Sequence, residues 1–214
     1  MREVILILQF SALIPILVIW FYKPQLNLFY KLLFASILLS IIFDVLGAAF
    51  SYYFKNNILI YCIYHIFNTI LITTMWQKIP FYSLMRKKVI SIVGYSILSL
   101  MIVAIIYFGV TANAFYIVGS LSIALGLFLA LYFYAQKLAM SSYIFPLKDP
   151  YFITASGIIL FSLSQIIIVA ALVQFEGSSF APNIWLFRQV LYLIYNLIIG
   201  YAFYVLYKSQ LLKK

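Results

Sequence analysis

The sequence is poor in acid. Only four of its 214 residues are Asp or Glu, against fourteen Lys and Arg, and charged residues together make up 8% of the chain. Soluble domains carry about a quarter charged residues, so a water-facing surface over most of this length is excluded. The single cysteine, Cys62, excludes an intrachain disulfide and a cysteine-cluster metal site. A lone histidine, His65, argues against a His-rich metal centre. There is no glycine-rich phosphate loop, no metal-ligand motif, and no Ser, His and acid triad at nucleophile spacing. The last apolar run holds no lysine for a retinal Schiff base, since Lys208 lies at its end. No cofactor is implied.

What the chain does have is apolar length. Hydrophobic residues make up 67% of it and the mean hydropathy is +1.13. A soluble core of this size could not hide so much apolar surface. The composition predicts an all-α, polytopic membrane protein, a single domain over 1–214 with no soluble part at either end. The first run, Val4 to Tyr22, reads as a span, not a signal peptide, because Glu3 offsets Arg2 and no small-residue cleavage site follows. A net charge of +10 is no nucleic-acid footprint here, since the basic residues lie between apolar runs, where they set topology. Twenty Phe and nineteen Tyr supply material for interfacial belts.

A helical span needs about 20 apolar residues. Seven segments qualify: 4–22, 28–52, 57–77, 89–110, 113–135, 151–173 and 184–207. The breaks are KPQLN at 23–27, KNN at 55–57, RKK at 86–88, Gly109 with TANA at 111–114, PLKDP at 146–150 and EGSSFAPN at 176–183. Counted over alternate loops, eleven Lys and Arg fall on one side and only Arg2 and Lys55 on the other. The positive-inside rule then predicts an outside N-terminus and a cytoplasmic C-terminus, in the inner membrane of a bacterium.

Against that background the polar residues inside the spans stand out. Asp44, in SIIFDVLG at 40–47, lies about 12–16 Å below the outer end of span two. His65 and Asn68 on span three and Gln165 on span six come to a similar level, about 12–16 Å deep, with Arg188 about 8 Å deep on span seven. Ser40 lies one turn below Asp44, and Asn196 about 20 Å deep. Ionisable groups at such depth face protein or a wet cavity and have partners, so these residues predict a polar pocket opening outward. If Asp44 lacks a cation it stays neutral and can act as a general acid. Paired with Arg188 or His65 it stays ionised and holds helices together. The amides have the same structural alternative, as interhelical glue.

Two segments repeat. ILLSIIFD (37–44) overlays IILFSLSQ (158–165), and YHIFNTIL (64–71) overlays YLIYNLII (192–199). The overlay predicts a 3+1+3 parallel repeat, 1–77 and 113–208, with a linker helix at 89–110 and Asn68 facing Asn196 across a pseudo-axis. Carriers of the SWEET type are built this way, which makes a small-solute carrier one reading. Those carriers place a proline in four bundle helices; here span one has Pro15, and spans two, five and six have none.

FDVLG around Asp44, His65 in the next span, and GIILFSLSQ (157–165) with Gly157, Phe161, Ser164 and Gln165 together resemble the lysoplasmalogenase family. Phe43 stands where the family has Gly, Gln165 where it has a second acid, and the family usually has eight helices. The resemblance implies hydrolysis of the vinyl-ether bond of a lysolipid. Asp44 would be the catalytic acid, with His65 or Asn68 positioning water and Ser40, Gln165, Arg188 and Asn196 lining the substrate site. A third reading is a non-enzymatic seven-helix module, a sensor or a subunit with a membrane-protein partner. All three contact membrane lipids, and none involves nucleic acid or a metal.

Orientation is directly testable. A reporter active only outside the cytoplasm is expected to be silent when fused after Leu212 and active when inserted at Lys55–Asn57; the opposite pattern would invert the topology.

Overall fold

The computed structural model describes residues 8, 10–80, 82–139, 146–174 and 181–212. All its regular structure among these residues is helical: α1 (Leu13–Tyr22, preceded by a 3-10 turn at Phe10–Ala12), α2 (Leu28–Phe54), α3 (Ile58–Gln77), α4 (Leu84–Phe108), α5 (Ala112–Leu138), α6 (Pro150–Gln174) and α7 (Ala181–Leu211). Six of these helices are long and apolar enough to cross a membrane, and the apolar segment Phe10–Tyr22 is shorter. This is a polytopic helical membrane protein. The helix is the natural answer to such a sequence, because it satisfies every backbone polar group within its own segment.

The helix ends follow local chemistry. α1 stops at Lys23, whose left-handed backbone lets its N–H reach the Ile19 carbonyl at 2.8 Å, with Pro24 next. Asn27 caps α2 by accepting from the Tyr30 N–H, and Gly109 ends α4 at a φ of 66°. Asp149 caps α6, accepting from Tyr151 N at 2.8 Å, with Pro150 at the first helical position. One break falls elsewhere than its charges suggest. Arg86, Lys87 and Lys88 belong to the first turns of α4, because Ser83 caps the helix by accepting from Arg86 N and the helix begins at Leu84. Basic residues are good helix formers, and charge alone does not end a helix.

The chain forms two compact units, Leu26–Leu125 and a second that joins Met1–Gln25 with Gly126–Lys214. In the first, α3 packs on both α2 and α4. Phe29 and Trp76 meet edge to face at the Leu28 end of α2, both fully buried. Gly94 of α4 lies so close to Thr73 of α3 that an added Cβ would enter the Thr73 side chain. The α3–α5 seam is a ladder in register: Tyr61 with Phe115, His65 with Phe115 and Gly119, and Thr69 with Ser122 at 3.4 Å. Numbers rise together along both helices, so α3 and the first half of α5 run parallel.

The second unit packs α7 against both α6 and α1. Two hydrogen-bonded contacts pin the α1 side to α7. Asn196 Nδ2 donates to Ser11 Oγ at 3.0 Å, and Gln25 and Gln210 bond reciprocally, Gln25 N to Gln210 Oε1 at 2.9 Å and Gln210 Nε2 to the Gln25 carbonyl at 2.7 Å. Both pairs are separated by 185 residues, so α1 and α7 run parallel with constant offset. Gly200 lies between them, within van der Waals reach of Ile14, Pro15 and Val18. Parallel running is what first and seventh members of an alternating series require, and it supports reading α1 as a span despite its short described length. Lys137 and Asp149 form an ion pair at 2.8 Å that ties the end of α5 to the start of α6. Tyr134 and Ser156 bond farther along, one turn from Lys137 on α5 and two from Asp149 on α6.

Packing at Gly94 sets a prediction. Gly94→Ala is expected to destabilise the protein in detergent by about 1–3 kcal/mol through overpacking, read as a lowered thermal midpoint. Gly126→Ala is expected to leave the midpoint unchanged, since its added Cβ would lie 3.6 Å from Ser162 Oγ.

Candidate functional site

Of the residues marked by the sequence, Ser40, Asp44, His65 and Asn68 belong to the unit Leu26–Leu125, and Gln165, Arg188 and Asn196 to the other. Each group has its own local geometry.

In the first unit, α2 and α3 are antiparallel neighbours. Ser36 Oγ donates to Asn68 Oδ1 at 3.2 Å, Phe43 lies between Tyr64 and Phe67 with ring centroids at 5.7 and 6.4 Å, and Gly47 opens space for Tyr61. A Cβ at Gly47 would stand 2.7 Å from the Tyr61 hydroxyl oxygen. This register places Asp44 at the level of Tyr61 to His65, as the depth count predicts. Asp44 and His65 are both partly buried. The imidazole is wedged into the α3–α5 seam: Tyr64 is 5.1 Å away and Phe115 6.0 Å, and a Cβ at Gly119 would come within 3.3 Å of Nε2. Ser40 Oγ donates to the Ile37 carbonyl of its own helix at 2.8 Å. Below, a buried polar layer continues through Thr69, which also reaches Met101 Sδ at 3.5 Å. Asp44 is the one carboxylate of this unit.

In the second unit, Arg188 Nε donates to Gln165 Oε1 at 3.0 Å, and the guanidinium carbon sits 5.1 Å from the Trp185 ring. Gln165 is 4% exposed and Asn196 1%. Ser164 spends its hydroxyl on the Leu160 and Phe161 carbonyls, and Phe161 stacks on Tyr195 at 4.8 Å. Asn196 is engaged by Ser11, which is itself buried.

The structure therefore brings Gln165 together with Arg188, and sets Asp44 level with His65. It gives Asn68 to Ser36 and Asn196 to Ser11. Ser36, Ser11 and Trp185 were not among the candidates. Small hydroxyl residues in apolar runs give no distinct sequence signal, because most bond their own helix. Trp185 carried one: three residues before an arginine it shares that residue's helix face. Among the described residues no group of three or more His, Cys, Asp and Glu could hold a metal ion. Comparison with protein-family models, curated proteins and solved structures finds no significant match to this chain.

The Ser11–Asn196 bond lends itself to a double-mutant cycle. Ser11→Ala and Asn196→Ala are expected to couple by about 0.6–1.7 kcal/mol, the span measured for interhelical bonds in membranes. Additive losses in thermal stability would show that the bond contributes nothing between α1 and α7.

Proposed function

We propose that this membrane protein is a lysolipid hydrolase acting on a vinyl-ether bond, with Asp44 as the acid, in the inner membrane of a bacterium with its N-terminus outside. The observation that supports it is the setting of Asp44. It is the one carboxylate of its unit, partly buried and, by the α2–α3 register, at the level of Tyr61 to His65. A carboxylic acid in its neutral form can deliver a proton, which is the role this reading gives Asp44.

The chemistry needs no second acid. Proton transfer from Asp44 to the distal carbon of the enol ether converts the double bond to an oxocarbenium ion. Water then adds to the cationic carbon and returns a proton to the Asp44 carboxylate. The hemiacetal formed breaks its C–O bond to give an aldehyde and a free hydroxyl on the glycerol. The positioning of that water falls to His65, at the level of Asp44, while Asn68 bonds Ser36, about 12 Å from Asp44 along α2. Gln165 in place of the family's second acid is consistent with this one-carboxyl scheme.

A second reading, a non-enzymatic helix module with a membrane-protein partner, is favoured by a different observation. His65 fits closely into the α3–α5 seam, and Asn68 and Asn196 each bond a serine of a neighbouring helix, as polar packing residues do. The same engagement leaves a carrier, with Asn68 and Asn196 flanking a solute, the least supported of the three.

Aldehyde release from lysoplasmalogen by the purified protein decides between them. Under the hydrolase reading Asp44→Asn lowers turnover by about 10²–10⁴-fold, with the substrate KM changed far less. Absent turnover, or turnover that Asp44→Asn leaves intact, rejects it, and a stoichiometric protein partner would then favour the module.

A further inference from the structure

α6 and α7 hold a cluster of hydrogen-bond donors in want of an acceptor. Arg188 Nε donates to Gln165 Oε1 at 3.0 Å. A guanidinium can only donate, so this bond fixes which end of the Gln165 amide faces it. Nε2 is thereby turned away, and it is buried without a hydrogen-bond partner among the described residues. With Gln165 only 4% exposed, that orphan N–H is a standing cost that an incoming acceptor would relieve. Next to it the guanidinium presents two further nitrogens, for which no hydrogen bond is found among the described residues. Asp149, the one carboxylate among the described residues of this unit, is bonded to Lys137 at the far end of α6. Among the described residues the cluster is cationic, and its one acceptor, Gln165 Oε1, is taken by Arg188.

Its level in the helices narrows the ligand. At 31 residues, α7 is about 46 Å long, against a hydrocarbon core of about 30 Å, so about 8 Å of each end reaches the headgroup layer. Arg188 starts about 10 Å from the beginning of α7, and helical side chains lean toward the N-terminus. The guanidinium thus comes to the headgroup boundary, beside Trp185, an aromatic of the kind that settles there. Ile184 is one turn from Arg188 and Ile168 one turn from Gln165, and both belong to a groove of about 260 Å³ completed by Ile167, Ala171, Asn183 and Phe187. Donors beside an apolar groove fit an amphiphile better than a free ion.

We propose that Arg188 and Gln165 bind the phosphate of an anionic phospholipid, whose apolar part next to the phosphate lies in the α6–α7 groove. The phosphate oxygens accept from the guanidinium and from Gln165 Nε2, and the lipid's net negative charge neutralises Arg188. Unlike a zwitterionic lipid, it brings no second cation to Arg188. The site is independent of any chemistry at Asp44.

The test uses the full chain in maltoside detergent, titrated with dioctanoyl phosphatidylglycerol, dioctanoyl phosphatidylcholine and inorganic phosphate, with native mass spectrometry as readout. Phosphatidylglycerol is expected to bind more tightly than either of the others. Arg188→Gln is expected to weaken it by about tenfold or more, the loss of a charge-assisted bond. Gln165→Glu keeps the fold by pairing internally with Arg188, and is expected to abolish lipid binding while the thermal midpoint holds or rises. Wild-type protein that ignores phosphatidylglycerol, or binding undiminished in both variants, would overturn the site. Inorganic phosphate binding as tightly as the lipid would overturn the lipid assignment.

Discussion

Hydrocarbon offers no hydrogen bonds, and the architecture depends on that one constraint. The backbone meets it by forming helices. Side chains meet it in two ways. Thr73, Thr74, Ser91, Ser99, Thr154 and Ser156 give their hydroxyl hydrogens to carbonyls four residues back. Bonds across helices are the other way: Ser36 with Asn68, Ser11 with Asn196, Gln77 with Ser91 and Tyr134 with Ser156, the last two serines making both kinds. The first group costs the fold little and says little about it. The second group fixes which helices pair and at what register, because a bond across a seam forms at one setting only. Where neither solution is complete, as at Gln165 Nε2, the remaining donor is a place where something outside the chain can be held.

Helix number and span limits were legible in the sequence because both follow from apolar length alone. Six of the seven runs reappear as long helices with ends within a few residues, and the first as the shorter segment Phe10–Tyr22. The exception at 86–88 is instructive. A run of three cations looks like a loop, yet the capping oxygen of Ser83 governs where the helix begins. Charge reports where a chain meets water; capping chemistry reports where its backbone turns. The common level of Asp44 and His65 was also legible, since it needs only a rise per residue and two helix ends.

Partner choice was not legible. Depth counting put Asn68 and Gln165 at one height, with Arg188 above and Asn196 below, but height leaves the rotation of each helix free. Rotation is set by small residues that let a neighbour approach, such as Gly119 beneath His65 and Gly47 beneath Tyr61; a glycine such as Gly119 marks a close-packing position in the sequence, but not which residue fills it. The serines that take up Asn68 and Asn196 gave no warning either. A polar residue in a span announces that it has a partner; which partner is decided by packing.

The two compact units differ in how they are threaded. Leu26–Leu125 is continuous, so its helices can assemble as soon as that stretch has been synthesised. The other unit joins α1, made before it, to α6 and α7, made after it. At about 5–20 residues per second, α1 waits on the order of ten seconds in the bilayer before Asn196 and Gln210 arrive. During that interval Ser11 and the Gly200-facing surface of Ile14 and Val18 have only lipid, or a guardian of the insertion machinery, for company.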